Sequence, residues 1–155
     1  MFTPRLWIGC AMVALLTACS SVPYTQRMQQ RQAAYAAAAG TSVRSFRFFT
    51  LYSWEPLSDT QLAVYTRPNQ AWLLDVQSGC QNLSFTNGIG LTSSVNEVSA
   101  RFDKVLTGRR YIPCIITQIR PVDLATLKVE QEAQRKINAE PRQPDQPSSR
   151  PAAGG

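Results

Sequence analysis

Apolar and polar residues alternate along several short segments in the middle of the chain, and this period of two predicts half-buried β-strands. The first such segment, residues 45–52 (SFRFFTLY), places Phe46, Phe48 and Tyr52 on one face. Residues 83–85 and 89–91 flank the turn dipeptide Asn87-Gly88, and a further segment alternates at Val98, Ala100 and Phe102. These patterns favour antiparallel strands joined by short turns.

A hairpin is predicted where residues 62–66 and 71–76 flank the turn sequence RPNQ. Pro68 presets the first corner of the turn and Asn69 tolerates the second. Four apolar side chains are expected on one face of this hairpin: Leu62, Val64, Trp72 and Leu74.

The last strand is expected over residues 111–120, where Pro113 favours a bulge or a strand start. Asp123 then caps a helix that runs to about Ile137, with Leu124 and Leu127 as its docking pair. The predicted fold class is therefore α+β and mainly β: a single small antiparallel sheet, or a partly closed barrel of about six strands, with a C-terminal helix.

A different pattern occurs at the N-terminus, where residues 6–16 form an apolar run too short to span a bilayer. This run is typical of a secretory signal. Its end, Leu16-Thr17-Ala18-Cys19, resembles the bacterial lipobox, which implies cleavage before Cys19 and attachment of lipid to the Cys19 sulfur. The alternative is an ordinary signal peptide with an incidental cysteine. Ser20 and Ser21 follow where an inner-membrane retention signal would carry aspartate, so we expect an outer-membrane lipoprotein facing the periplasm.

These patterns divide the chain into four parts. Residues 1–18 are the predicted signal peptide. Residues 19–40 are a lipidated tether, rich in Gln, Ala and Arg, which lacks a wide apolar stripe and is expected to be helical in part. Residues 41–137 form the predicted folded domain. Residues 138–155 are rich in proline and lack large apolar side chains beyond the helix end, so we expect them to be disordered.

The positions of the four cysteines lead to a further prediction. Cys10 lies in the predicted signal, and Cys19 is expected to carry lipid, so Cys80 and Cys114 are the two thiols left in an oxidising compartment. We predict that they form a disulfide. The alternative is two buried, unpaired cysteines.

The chain contains 16 Lys and Arg residues and 10 Asp and Glu residues. This excess of positive charge suggests a candidate binding surface. Arg109 and Arg110 lie in a predicted loop tip near Arg101 and Lys104. These four residues are candidates for binding an anionic surface, and a solvated basic loop is the alternative. Export excludes nucleic acid as a partner, so the expected partners are the membrane, an envelope protein, an anionic lipid or peptidoglycan.

A series of short motifs carries a family resemblance. They are Trp54, Asp59-x-x-Leu62-x-Val64-x-Thr66, Ala71-Trp72-Leu73-Leu74, Cys80-x-x-Leu83, Ile89-x-Leu91-Thr92, Phe102-Asp103-x-Val105, Cys114-x-Ile116 and Ile119-Arg120-Pro121-Val122-Asp123. The series resembles an uncharacterised family of small proteobacterial lipoproteins, a domain of unknown function. The resemblance supports the two-cysteine interpretation and the domain limits, and it implies no activity.

Candidate chemistry is sparse, because the chain has no histidine and therefore no Ser-His or Cys-His nucleophile. No cofactor or metal site is predicted. Four aspartates, Asp59, Asp75, Asp103 and Asp123, are candidates for a carboxylate pair, although structural roles are favoured. We therefore expect a non-catalytic accessory or binding module of the cell envelope. The alternative is a carboxylate-dependent enzyme acting on a cell-wall or glycan substrate.

Overall fold

The structure is a computed structural model that describes residues 22–139. The predicted signal peptide, Cys19 and residues 140–155 of the predicted tail lie outside the described residues. The described elements, in chain order, are α1 (Tyr24–Ala38), β1 (Ser45–Arg47), β2 (Ser53–Ser58), β3 (Gln61–Arg67), β4 (Gln70–Val76), β5 (Gly90–Leu91), β6 (Glu97–Ser99), β7 (Lys104–Leu106), β8 (Cys114–Val122) and α2 (Leu124–Ala139).

Six of the strands form one antiparallel sheet in the order β2-β3-β4-β8-β7-β5, which curls into a half-barrel. Strands β1 and β6 pair separately as a two-stranded sheet. This architecture confirms the predicted fold class, including the C-terminal helix. Pro113 immediately precedes β8, which confirms that it marks a strand start.

The predicted hairpin is confirmed as β3 and β4. Val64 pairs with Trp72 and Leu62 pairs with Leu74, so these four side chains lie on one face, as the alternation indicated. This face contributes to the larger hydrophobic core, where the Trp72 ring stacks on Phe46 of β1 with 4.9 Å between ring centroids. The two-stranded sheet thus closes one side of the half-barrel.

The opposite face of the sheet is covered by both helices. Its buried residues come from α1, from α2 and from four strands: Ala34, Tyr35, Ala38, Leu57, Ala63, Ala71, Leu73, Val122 and Leu127. The docking contribution of Leu127 is as predicted, and Leu124 packs beside it. The helices also contact each other, since Gln134 Nε2 donates to the Gln30 carbonyl at 2.7 Å.

Helix α1 differs from the predicted tether. Burial of two alanines and one tyrosine docks residues 24–38 on the sheet, although the segment has no wide apolar stripe. Alanine side chains bring the helix backbone close to the sheet, and Tyr35 supplies the large apolar surface. The segment interpreted as a spacer is therefore largely part of the packed structure.

Three strand predictions were wrong in extent. The last strand, expected over residues 111–120, is β8 and begins only at Cys114. The first strand ends at Arg47, and Tyr52 is 61% exposed instead of facing the core. The segment 98–102 is extended only to Ser99, because Arg101 adopts a left-handed conformation (φ 71°) that turns the chain and leaves Phe102 exposed.

Two further strand assignments need correction. Residues 83–85 form a turn, because Asn82 is left-handed (φ 66°) and its carbonyl accepts the Thr86 N–H at 2.9 Å. Strand β2, which contains Pro56, was not predicted. Proline is tolerated there because β2 is the edge of the sheet.

Candidate functional site

A disulfide joins Cys80 to Cys114, as predicted, with 5.3 Å between the Cα atoms. Cys114 begins β8, and Cys80 lies in the segment that follows β4. The bond therefore fixes the C-terminal end of the loop between β7 and β8. We call this loop, residues 107–113 (TGRRYIP), the basic loop.

The other end of the basic loop is fixed by Thr107, whose side chain is buried. Its hydroxyl donates to the Gln81 carbonyl at 2.9 Å. Its own carbonyl accepts hydrogen bonds from Asn82 Nδ2 and the Thr86 hydroxyl, both at 3.2 Å. The basic loop is thus anchored at both ends to the segment that carries Cys80.

Between these two anchors the basic loop is exposed and amphipathic. Arg109 and Arg110 are exposed, and they are followed by Tyr111 and by Ile112, which is 74% exposed. Phe85, in the segment to which Thr107 is bonded, is 80% exposed. Two guanidinium groups and three apolar side chains are therefore presented to solvent on two segments that are tied together.

The structure separates the four predicted basic residues. Arg109 and Arg110 lie together in the basic loop, after the C-terminal end of β7. Lys104 is the first residue of β7 and pairs with Ile115. Arg101 lies before β7, where its backbone N–H donates to the Ile116 carbonyl at 2.6 Å.

Arg101 instead lines an open cleft of ≈ 1020 Å³, which we call the arginine cleft. Its walls are residues 42–45 and 99–102, and its floor is Thr117 and Gln118 of β8. Arg44 is the second arginine in its lining. Within residues 22–139 the ion pairs are Arg31 with Glu55 and Arg120 with Asp75, so neither cleft arginine is neutralised by one.

Sequence reasoning did not select Arg44. The signal was present in the run RSFRFF, where basic residues alternate with aromatic ones, but only the pairing of β1 with β6 brings residues 42–45 beside residues 99–102. The Ala100 N–H donates to the Arg44 carbonyl at 2.9 Å, which fixes the two walls against each other.

The four candidate carboxylates are engaged in local hydrogen bonds. Asp59 accepts the Ser84 hydroxyl at 2.5 Å, and Asp123 accepts the Ala125 N–H at 2.9 Å. The remaining two carboxylates also have named partners: Asp75 binds Gln61 and Arg120, and Asp103 binds Thr92 and Ser99. Within residues 22–139, no group of three or more Asp, Glu or Cys side chains is placed to hold a metal ion.

A partly buried polar cluster, also missed by sequence reasoning, fixes α1 to the sheet. The Tyr35 hydroxyl donates to Glu55 at 2.7 Å and lies 2.6 Å from the Tyr65 hydroxyl, while Arg31 pairs with Glu55 at 2.8 Å. Burial, the Tyr65 hydrogen bond and the Glu55 charge raise the pKa of Tyr35 far above its usual value. Burial also raises the pKa of Tyr65. The Tyr35 hydroxyl is the hydrogen-bond donor that links α1 to Glu55 of β2.

Of three comparisons with known proteins, one gives a match. No curated protein and no solved structure matches the chain. Neither α1 nor α2, the helices described between residues 22 and 139, is long and apolar enough to cross a membrane. A family model does match, over residues 3–138, and its description is a family of unknown function, DUF6491. Because this match covers most of the chain, the protein belongs to the DUF6491 family.

Proposed function

We propose that the protein is a lipid-anchored lipoprotein of the bacterial envelope, held at the outer membrane facing the periplasm, and that it acts there as a non-catalytic binding module. The anchor is supported by the sequence LLTACSS, in which an apolar run is followed by two small residues and Cys19. Two or three acyl chains at one site anchor a protein stably to a membrane, whereas a single chain binds only marginally. The domain would then work at the membrane surface.

The docking of α1 makes this anchorage short. Cys19 and Tyr24, the first residue of α1, are five residues apart, and an extended chain of that length spans at most about 18 Å. Because α1 packs on the sheet, little additional reach is available without undocking it. The folded domain would therefore stay close to the membrane, at a high effective concentration toward partners in or on it.

The observation that carries the binding role is the basic loop. Arg109 and Arg110 each add about 1 kcal/mol of attraction to an anionic surface, while Ile112 and Phe85 offer exposed apolar area beside them. The disulfide and Thr107 hold both ends of this loop. A loop that is fixed at both ends loses less conformational entropy on binding than a free one, so a weak contact suffices once the anchor is in place.

The experiment is photo-crosslinking in cells from a probe placed at Ile112 of the full-length protein. We expect crosslinks to an anionic lipid or to an envelope protein, identified by mass spectrometry. The double variant Arg109→Glu/Arg110→Glu, carrying the same probe, should lose most of that product because its loop is repelled by an anionic partner.

The matched control places the same probe at Lys128, an exposed basic position on α2. This position should give a different product or a much weaker yield. Equal products from both positions, or a yield from Ile112 that the charge reversal leaves unchanged, would refute the role of the basic loop.

A further inference from the structure

We propose that the arginine cleft binds an anionic saccharide, that is, a sugar carrying a phosphate or a carboxylate. This inference goes beyond the proposed function, because the cleft and the basic loop lie on either side of β7 and share no residue. It rests on the chemistry of the cleft lining, which combines two arginines, several hydroxyl groups and one exposed aromatic ring.

Two acidic residues, Glu97 and Asp103, lie next to the cleft but outside its lining. Glu97 accepts a hydrogen bond from the Ser45 hydroxyl at the rim. Asp103, next to Phe102, is buried and accepts the Thr92 hydroxyl and the Ser99 N–H, each at 2.7 Å. Among the described lining residues there is no aspartate or glutamate. Arg44 and Arg101 are therefore the charges that a ligand entering the cleft would meet first.

Arg101 is held in place by its backbone. Its φ of 71° is a left-handed conformation that costs a non-glycine residue about 1 kcal/mol or more. The hydrogen bond from its N–H to the Ile116 carbonyl, together with the Asp103 bonds to Thr92 and Ser99, fixes this turn. Strain of this kind is retained where the surrounding structure enforces it, and here it places Arg101 in the cleft lining together with Arg44.

A saccharide matches the rest of the lining. A guanidinium binds phosphate or carboxylate oxygens through two parallel hydrogen bonds. Ser42 and Ser99 supply hydroxyls that can exchange hydrogen bonds with sugar hydroxyls. The Thr117 hydroxyl donates to the Asp75 carbonyl at 3.1 Å and can accept a hydrogen bond from a sugar. Phe102 is 82% exposed, and the negative face of its ring attracts the C–H groups on one side of a sugar ring. The volume, ≈ 1020 Å³, accommodates a small saccharide.

The test is a titration of the full-length protein in detergent, followed by NMR of backbone amides. Four probes separate the contributions: N-acetylglucosamine 1-phosphate, N-acetylmuramic acid, neutral N-acetylglucosamine and inorganic phosphate. We expect one or both anionic sugars to shift the amides of residues 42–45 and 99–102. Binding of the phosphorylated sugar alone assigns a phosphate ligand, and binding of the muramic acid alone assigns a carboxylate ligand.

Two variants test the arginines. Arg44→Gln removes one charge, and Arg101→Asn removes the other while keeping a residue that tolerates the left-handed conformation. Each should weaken binding of the anionic sugar about tenfold or more. Arg47→Gln is the matched control, because Arg47 is on β1 but outside the cleft lining. The affinity of this variant for the anionic sugar should stay within about twofold of the wild-type affinity.

Three outcomes would overturn the proposal. One is that neither anionic sugar shifts the cleft amides. Another is that neutral sugar or inorganic phosphate alone binds as tightly as the anionic sugar. The third is that Arg47→Gln weakens binding as much as the cleft variants do. Thermal unfolding of each variant shows that a loss of binding is not a loss of fold. The crosslinking of the basic loop is unaffected by any of these results.

Discussion

The Tyr35 hydroxyl offers a sharp test of whether α1 is docked or acts as a free spacer. Tyr35 is 1% exposed, and its hydroxyl bridges α1 to Glu55 of β2 and Tyr65 of β3. The substitution Tyr35→Phe keeps the buried ring and removes only the hydroxyl. A hydrogen bond to a charged group contributes about 1.5–3 kcal/mol, so we expect Tyr35→Phe to lower the free energy of unfolding by about 2 kcal/mol.

The partners that remain set the size of this effect. Glu55 keeps its ion pair with Arg31, so its charge is not left without a partner. Tyr65 is only partly buried, which lets water replace the lost bond. These two remaining interactions keep the expected loss of unfolding free energy near 2 kcal/mol. A larger loss is expected only when a buried charge is left without a partner.

The assay is equilibrium unfolding in urea followed by circular dichroism, with Tyr24→Phe as the matched control. Tyr24 is on the same helix but is 61% exposed, so its variant should stay within about 0.5 kcal/mol of the wild type. If Tyr35→Phe also stayed within that limit, the docking of α1 through this cluster would be wrong.

The pH dependence of the same variants provides a second readout. The pKa of Tyr35 is raised in the folded state, so the folded protein holds a proton that the unfolded chain releases above about pH 10. The stability contributed by Tyr35 is therefore fully present below pH 10 and is lost as the pH rises further. The difference between the wild type and Tyr35→Phe should shrink above pH 10.

Three other predictions follow from single features of the structure. Replacing Cys80 and Cys114 with serine opens a 34-residue loop and should destabilise the protein by about 4 kcal/mol in urea unfolding; a change under 1 kcal/mol would contradict the role of the disulfide. Val95 is almost fully exposed with φ 53°, so Val95→Asn should raise stability by about 1 kcal/mol, and a loss would show that this turn is unstrained. Hydrogen bonds from Thr126 and Ala125 lower the pKa of Asp123, so Asp123→Asn should lower the thermal midpoint at neutral pH. This difference from the wild type should disappear as the pH falls below about 4, where the Asp123 carboxylate becomes protonated. A difference that persists at lower pH would contradict the stabilising role of the Asp123 charge.

The features that the sequence predicts correctly depend on local chemistry. The β3–β4 hairpin follows from alternation around Pro68 and Asn69, and its register places the expected apolar side chains on one face. Helix α2 follows from Asp123 and the spacing of Leu124 and Leu127. The disulfide follows from the predicted export and lipidation, which leave Cys80 and Cys114 as the two available thiols. In each case one short stretch, or a simple count, carries enough information.

The features that the sequence does not predict depend on tertiary contacts. Helix α1 buries mostly alanine, so its docking depends on the surface that it meets and on the Tyr35 hydroxyl reaching Glu55. Strand β2 tolerates Pro56 because nothing pairs with its outer edge among the described strands. Residues 83–85 alternate like a strand, yet the turn at Asn82 decides their conformation.

The candidate sites show the same division. The position of Arg109 and Arg110 in an exposed loop was predicted from sequence, because charge in a loop is a local property. Arg101 was grouped with them by proximity along the chain, but its left-handed backbone places it in the arginine cleft instead. Its partner there, Arg44, is 57 residues away, and only the pairing of β1 with β6 brings the two walls together.

The most direct test of the central claim is metabolic labelling with radioactive palmitate in a bacterial host that expresses the full-length chain. We expect the wild-type protein to incorporate label and the Cys19→Ser variant to incorporate none, because Cys19 is the proposed lipid acceptor. The matched control, Cys10→Ser, should be labelled like the wild type, since Cys10 lies within the predicted signal peptide. Equal labelling of Cys19→Ser and the wild type, or no labelling of either, would contradict the proposal that this domain works from a lipid anchor at the membrane.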